Sequence, residues 1–282
     1  MLRVLIKPTT FKVTPMQDGQ NPYIDIKYHP DHKKILHQHS ELEKALMNTI
    51  TYTIEKPQHS LPDIVFIANG GLCLPRLPKP LIVLPQMKYR QRQEELSYLK
   101  KIYADMRIET VQLSGKEPFE GQAELKWFCK GTKAVCGYGH RSTKKTFSDL
   151  NRLFERIYGA HGLSAPELLV IPLASADYYH LDVAMLEYDD TKCIVHKRAF
   201  DKTAMNKLKQ FLGPENVHVI DTEDSFCLNA VVDGNRLITH QVSHNIQLEL
   251  ERITNKKVHK VNTSEFENSG GSVRCMTLDI FP

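Results

Sequence analysis

The feature that most restricts the fold is a recurrence. Apolar residues at helical spacing form five stripes, in residues 31–50, 91–106, 147–158, 201–212 and 243–254. In the first, Ile35, Leu42, Leu46 and Ile50 share a face; in the fourth, Ala204, Leu208, Phe211 and Leu212 do, with Gly213-Pro214 as a stop signal. Ser243 is placed to cap the fifth. The stripes begin near residues 31, 91, 147, 201 and 243, at intervals of 60, 56, 54 and 42. Between them run short segments rich in valine, isoleucine and aromatics, at 63–67, 81–84, 108–113, 124–128, 168–171, 183–188, 193–196, 217–220, 226–232 and 273–281. The N-terminal MLRVLI reads as a first strand. About three strands per helix predict an α/β chain made of units of roughly 56 residues. The repetition favours a radial arrangement, while a G-x-G-x-x-G fingerprint for a doubly wound sheet is missing. An ordinary α/β sandwich stays open at this point.

Composition narrows the function classes. The chain has 282 residues, 41% hydrophobic and 25% charged, which suits a globular protein and excludes a disordered chain, a collagen or a coiled coil. One domain over 1–282 is expected. No run approaches the ~18 apolar residues of a membrane span, and the N-terminus lacks the apolar core of a signal peptide. Lys+Arg at 37 against Asp+Glu at 33 gives +4, with the signs interspersed. That balance helps to attract small anions, but no basic block exists to track nucleic-acid phosphates. Six cysteines, at 73, 129, 136, 193, 227 and 275, form no C-x-x-C pair and are too sparse for a disulfide scaffold. Reduced thiols and a cytoplasmic location are expected, with no nucleic-acid or membrane partner; a homo-oligomer is allowed for. The histidines at 29, 32, 37 and 39 lack ligand spacing and read as solvated surface, so no metal and no cofactor is expected.

Three local sequences carry chemistry, each read as sitting where a strand ends. Phe119-Glu120-Gly121 sets a carboxylate beside a flexible glycine. Tyr179-His180-Leu181-Asp182 spaces an imidazole and a carboxylate by two, which in a strand aims both at one face. Near the C-terminus, Ser269-Gly270-Gly271-Ser272-Val273-Arg274-Cys275 leads through a glycine-rich turn to a cysteine opening an apolar strand. From separate units of a radial fold, Cys275, His180 and Glu120 could converge as nucleophile, proton-transfer partner and substrate-orienting group. A free thiol titrates near 8.5, so a cationic partner must activate it. Carboxylates beside a cysteine then make sense if the substrate is itself a cation, a guanidinium or amidinium.

The combination resembles the guanidino-group-modifying, or pentein, superfamily of arginine deiminases, arginine dihydrolases, dimethylarginine dimethylaminohydrolases and amidinotransferases. Besides F-E-G, Y-H-L-D and S-G-G-S-V-R-C-M-T, the similarity covers the segment from Lys7 to Asn21-Pro22-Tyr23. It also covers Pro62-Asp63-Ile64-Val65-Phe66 with Asn69, the MKYRQRQEE run from Met87, and Gly139-His140-Arg141-Ser142. The resemblance implies a fivefold pseudosymmetric α/β propeller of ββαβ repeats. It implies Cys275 as nucleophile, His180 as general acid/base and Glu120 as the residue orienting the guanidinium. Asn69 and Asp182 would bind the other guanidinium nitrogens, and Arg92 (with Arg90 as a rival) and Arg141 the substrate carboxylate. Asp63 and Asn21 would contact or support the amino-acid end.

The implied activity is a cofactor-free cysteine hydrolase acting on arginine or a close derivative and releasing ammonia or an amine. Asn69, where many of the hydrolases have a carboxylate, resembles the dihydrolases. A dimethylarginine dimethylaminohydrolase, an amidinotransferase and a non-catalytic binding protein of the same fold are the alternatives; an arginine-sensing regulator is a further one. Arg141-Ser142 for Arg-Thr, and Gln122-Ala123-Glu124 where Gly-Asp often follows F-E-G, are departures at the site's edge.

Overall fold

The computed structural model describes residues 1–14 and 21–282, so part of the 7–23 segment lies outside the described residues. In chain order the main elements are β1 (Leu2–Ile6), α1 (His32–Ala45), β2 (Thr49–Tyr52), β3 (Leu72–Cys73), β4 (Leu81–Val83), α2 (Glu95–Asp105), β5 (Glu109–Val111), β6 (Leu125–Phe128), β7 (Lys133–Tyr138), α3 (Lys144–Ala160) and β8 (Glu167–Pro172). They continue with β9 (Met185–Glu187), β10 (Cys193–His196), α4 (Lys202–Leu212), β11 (Val217–Ile220), β12 (Val231–Asp233), β13 (Arg236–Thr239), α5 (His244–Thr254), β14 (Lys257–Lys260) and β15 (Leu278–Ile280).

The strands make five three-stranded sheets, β15-β1-β2, β3-β4-β5, β6-β7-β8, β9-β10-β11 and β12-β13-β14. Each follows one plan: the first strand pairs antiparallel with the second, and a helix carries the chain over to a third strand parallel to the second. The first sheet takes its strands from both ends of the sequence, with β15 pairing antiparallel with β1 (Leu2↔Ile280). Helix ends follow their local chemistry. The Asp31, Asp201 and Ser243 side chains accept first-turn N–H groups of α1, α4 and α5, and Gly213 at φ +95° ends α4.

The apolar core is not one mass but five wedges. Each lies under one helix and joins two neighbouring sheets. Leu72, Val83, Leu125 and Ala134 pack with Phe147, Leu150 and Phe154 of α3. Phe128, Val135, Met185 and Val195 do so with Leu208 of α4, and Leu186, Ile194 and Leu237 with Leu250 of α5. Leu5, Val231 and Ile238 pack under Ile35 and Leu42 of α1, and Val4, Leu278, Cys73 and Ile82 under Leu99 and Tyr103 of α2. Wedges linking sheet to sheet in a closed circuit produce the radial fold that the period suggested and the family resemblance implied, and they exclude the sandwich. The centre is polar instead: Gln122, Glu124, Lys126, Asp182, Arg274 and Asp279 are all buried there.

Four expectations need correction. Residues 63–67 form a turn running into the short helix Ile67–Gly70, in which the Phe66 N–H bonds the Asp63 carbonyl and the Asn69 N–H the Phe66 carbonyl in place of a strand ladder. The strands expected at 183–188, 226–232 and 273–281 shrink to β9, β12 and β15, the first preceded by the helical turn Leu181–Ala184 and the other two by non-helical turns. The three motif segments therefore precede strands rather than end them. His39 is buried rather than solvated, lying on the inner face of α1, where burial lowers its pKa. Among the described residues no helix is long and apolar enough to cross a membrane.

Candidate active site

The turns before the five first strands meet at one end of the central axis. The helix Ile67–Gly70 before β3 carries Asn69, and Glu120 caps the helix Gly121–Glu124 before β6. His180 caps the helix Leu181–Ala184 before β9, which contains Asp182. Asn229 stands just before β12 and Cys275 just before β15. The His180–Asp182 spacing thus works through a helix start and not through strand alternation. Gly121 is required beside Glu120: its φ is +63°, and an added Cβ would lie 2.6 Å from the Gly71 carbonyl oxygen.

Eight of the nine expected site residues border one small cavity of about 20 Å3: Cys275, His180, Glu120, Asn69, Arg92, Arg141, Asp63 and Asn21. The ninth, Asp182, lies behind Cys275, where its Oδ2 accepts the thiol hydrogen at 3.4 Å. A volume of that size has room for about one water, so an amino-acid ligand enters only if lining side chains move. Arg92, not the exposed Arg90, reaches the cavity.

His180 Nε2 stands 2.7 Å from Glu120 Oε2, 3.4 Å from Asn69 Nδ2 and 3.8 Å from Glu124 Oε1. Burial would raise Glu120, but the hydrogen bond and charge of His180, with Arg141 and Arg92, hold its carboxyl at about 2. Burial and the charge of Glu120 push Glu124 well up, so the two carboxyls flanking one imidazole differ in protonation. Arg92 is heavily engaged. It donates to both oxygens of Glu95 (2.9 Å each), to Asn69 Oδ1 (2.8 Å) and to the Asp63 carbonyl (3.1 Å). Since a guanidinium only donates, Asn69 must turn its oxygen to Arg92 and its NH2 toward His180. Arg141 sits 4.7 Å from the ring centres of both Tyr89 and Tyr179, with its Nε 3.6 Å from Glu120 Oε2.

Burial and the Asp182 carboxylate raise the Cys275 thiol well above its ordinary value, so in this state it is protonated. Sequence reasoning missed Asn229. Its Nδ2 donates to Cys275 Sγ at 3.1 Å, while its Oδ1 accepts the N–H groups of Arg274 and Cys275 at 3.0 and 3.2 Å. No motif surrounds it; the available signal is its position before the first strand of the fifth unit. Phe66, Tyr179, Ser269 and Gly270 also border the cavity, and the Tyr179 hydroxyl donates to the Gly270 carbonyl. Ser269 Oγ donates to Asp63 at 3.2 Å, and Asn21 Nδ2 donates to the Ser269 carbonyl at 3.2 Å, which ties the glycine-rich turn to the N-terminal segment.

No family model matches the chain. It is 26% identical over 263 residues to the bifunctional arginine dihydrolase/ornithine cyclodeaminase ArgZ of Synechocystis sp., covering 92% of this chain and 35% of that protein. It thus spans about a third of that relative's length. It is also 26% identical over 266 residues to the N(G),N(G)-dimethylarginine dimethylaminohydrolase of Mycobacterium tuberculosis, covering 93% of this chain and 81% of that one. Among solved structures, the N-terminal domain of ArgZ bound to product superposes with a TM-score of 0.84 at 23% identity, covering 98% and 96% of the two chains. A dimethylarginine dimethylaminohydrolase adduct gives 0.68 at 19% identity over 98% of each. Over nearly its whole length the chain is thus similar in sequence, and closely alike in fold, to proteins named arginine dihydrolase and dimethylarginine dimethylaminohydrolase.

Proposed function

We propose that residues 1–282 form one catalytic domain, a cysteine-dependent hydrolase acting on the guanidinium of L-arginine or a close derivative. The observation that supports this most is that Cys275, His180 and Glu120, from three different units, border one cavity whose other walls bear amides, carboxylates and arginines. A guanidinium entering between Glu120 and Asp182 neutralises the carboxylates that oppose a thiolate, and so activates Cys275. The thiol proton passes to Asp182, which already accepts it at 3.4 Å, and Sγ bonds to the guanidinium carbon. As the tetrahedral adduct collapses, the C–N bond breaks and His180 delivers a proton to the departing nitrogen. Water next gives a proton to His180, its oxygen bonds to the carbon, and the C–S bond breaks to return the thiolate. Arg141 and Arg92 take the substrate carboxylate, with Asp63 and Asn21 toward the ammonium end. For this, Arg141 must leave the neighbourhood of Glu120, which the substrate guanidinium then occupies.

Asn69 supports two successive hydrolyses. Its NH2 faces His180 (3.4 Å) and can donate to the oxygen of a neutral ureido intermediate, which a carboxylate cannot. The relatives named arginine dihydrolase agree with this reading. A cytoplasmic location is part of it, supported by six free cysteines.

The test is to incubate the purified chain with arginine, methylated arginines, succinylarginine and agmatine, and to quantify ammonia, citrulline and ornithine. Arginine should yield ornithine and ammonia. Cys275→Ser should lose all turnover, and full activity in that variant would discard the nucleophile. Asn69→Asp should stop at citrulline; continued ornithine release would remove the role given to the amide.

A further inference from the structure

One carboxylate beside the site has no task in the scheme above. Glu95, the first residue of α2, is 1% exposed and stands outside the cavity lining. Both of its oxygens accept from Arg92, three residues earlier, Oε1 from Nε and Oε2 from Nη2, at 2.9 Å each. Burying a carboxylate is tolerable only against such a partner. The two-pronged pair fixes the plane of the guanidinium, so its five hydrogens can be assigned. Glu95 takes the one on Nε and one on Nη2. The Asp63 carbonyl at 3.1 Å, with the Phe66 carbonyl at 3.4 Å, takes the other on Nη2. Asn69 Oδ1 takes one on Nη1 at 2.8 Å. Among the described residues this leaves one Nη1 hydrogen for a substrate carboxylate.

A guanidinium has no acceptor, so Asn69 can meet Arg92 only with its oxygen, and its NH2 then stands 3.4 Å from His180 Nε2. The sense of this amide matters little to a guanidinium substrate, which offers N–H groups alone. It matters to a neutral ureido intermediate, which offers an oxygen. The NH2 can donate to that oxygen, whereas a turned amide would set two acceptors against each other. We propose that Glu95 is a positioning residue for the second hydrolysis, holding Asn69, through Arg92, with its NH2 toward the reacting end. The assignment rests on the two-step reading above and adds a residue that never touches the substrate. The remaining acceptors on Arg92 are an amide and two backbone carbonyls; Glu95 is the charged group in contact with it.

The test is a double-mutant cycle on binding, in the full chain carrying Cys275→Ser. It is run at pH 8, above the value of about 7 to which burial lifts the Glu95 carboxyl against the pull of Arg92. Calorimetry gives Kd for citrulline and for arginine, which share their amino-acid end and differ only at the carbon under attack. Glu95→Gln also removes a negative charge, which by itself weakens the cation arginine more than neutral citrulline. That contribution is common to chains with and without the amide, so it cancels against an Asn69→Ala background. Expected is that Glu95→Gln weakens citrulline relative to arginine by about threefold or more beyond the change seen in Asn69→Ala. An equal change in both backgrounds overturns the proposal, because Glu95 would then act otherwise than through the amide. With the cysteine restored, Glu95→Gln should lower the ornithine-to-citrulline ratio from arginine by about threefold or more; a merely structural Glu95 would lower both products together and leave the ratio unmoved. Should Glu95→Gln fail to fold, Glu95→Asp, which keeps the charge but withdraws it by a methylene, carries the same cycle with about a twofold change expected, and no change overturns the proposal. Arginine bound with the cycle closing at zero removes the positioning role alone. Failure of the Cys275→Ser chain to bind arginine, or wild type releasing no ornithine, overturns the two-step reading and this role with it.

Discussion

Cys275 keeps its proton in the resting site because burial and the Asp182 carboxylate both oppose a thiolate. Iodoacetamide should therefore alkylate it slowly at neutral pH, with the rate still climbing above pH 9, which stopped-flow or mass-spectrometric labelling would check. Asn229 works in the opposite sense, since its amide donates to the sulfur. Asn229→Ala should move that alkylation profile to higher pH and lower kcat about 100-fold or more, the loss typical of removing one charge-stabilising donor. The same change strips the side-chain acceptor from the buried Cys275 N–H, while the Arg274 N–H keeps the carbonyl of residue 229 at 3.2 Å, costing about 1–3 kcal/mol of stability, which a denaturant titration would register. An unmoved profile would reduce Asn229 to scaffolding. Cys275, His180 and Glu120 were readable because each sits in a short motif with distinctive neighbours. Asn229 sits in none, and an isolated asparagine has no local pattern; only the assembled ring shows what it faces.

Among the elements, the four-residue helices that carry the site are the part that sequence periodicity could not reach. A single turn contains too few residues to show a 3.6 period, so the segments at 63–67 and 183–188 read as strands from their valine and isoleucine content. The long helices were legible, with starts within a few residues and the caps at Ser243 and Gly213 in place. Gly121→Ala tests the turn: a positive φ together with the approach to Gly71 should cost at least about 2 kcal/mol and displace Glu120, lowering both thermal stability and turnover. The turn before β12 and the last helical turn before Cys275 are joined by His240, which bonds Asp224 at 3.0 Å and pairs with Glu267 at 3.3 Å. Burial alone would lower this imidazole, but its two carboxylate partners lift it to about 9. Its contribution is thus fully present below the ordinary histidine pKa of 6.5 and is lost as pH rises through about 9. Thermal melts of the wild type should fall over that window by a component of at most roughly 3 kcal/mol, and His240→Gln should flatten it.

For the whole molecule, the recurrence of helical stripes was enough to suggest a ring, yet how the ring closes was not legible. Closure depends on pairing residues from the two ends of the sequence, and no local pattern records such a partner. Arg3 shows the physics: on β1 it bonds Asp279 of β15 at 3.2 Å and Asp233 of β12 at 2.7 Å, all three buried. Arg3→Ala takes one of two cationic partners from each of two buried carboxylates, Asp279 keeping Arg274 at 2.8 Å and Asp233 keeping Arg236 at 3.1 Å, and should cost about 3 kcal/mol in chemical denaturation. The half-buried Arg236→Ala, which touches the same Asp233, should cost far less. The pairing of Leu2 with Ile280 also has a kinetic side. Cys275 follows Glu120 and His180 in the chain and precedes a strand whose partner, β1, comes before both, so a nascent chain carries the acid and the imidazole before it has the sulfur they face. Loop closure over such a separation is slow, and guanidine turnover should appear with the final refolding phase rather than with the earlier recovery of helical circular dichroism.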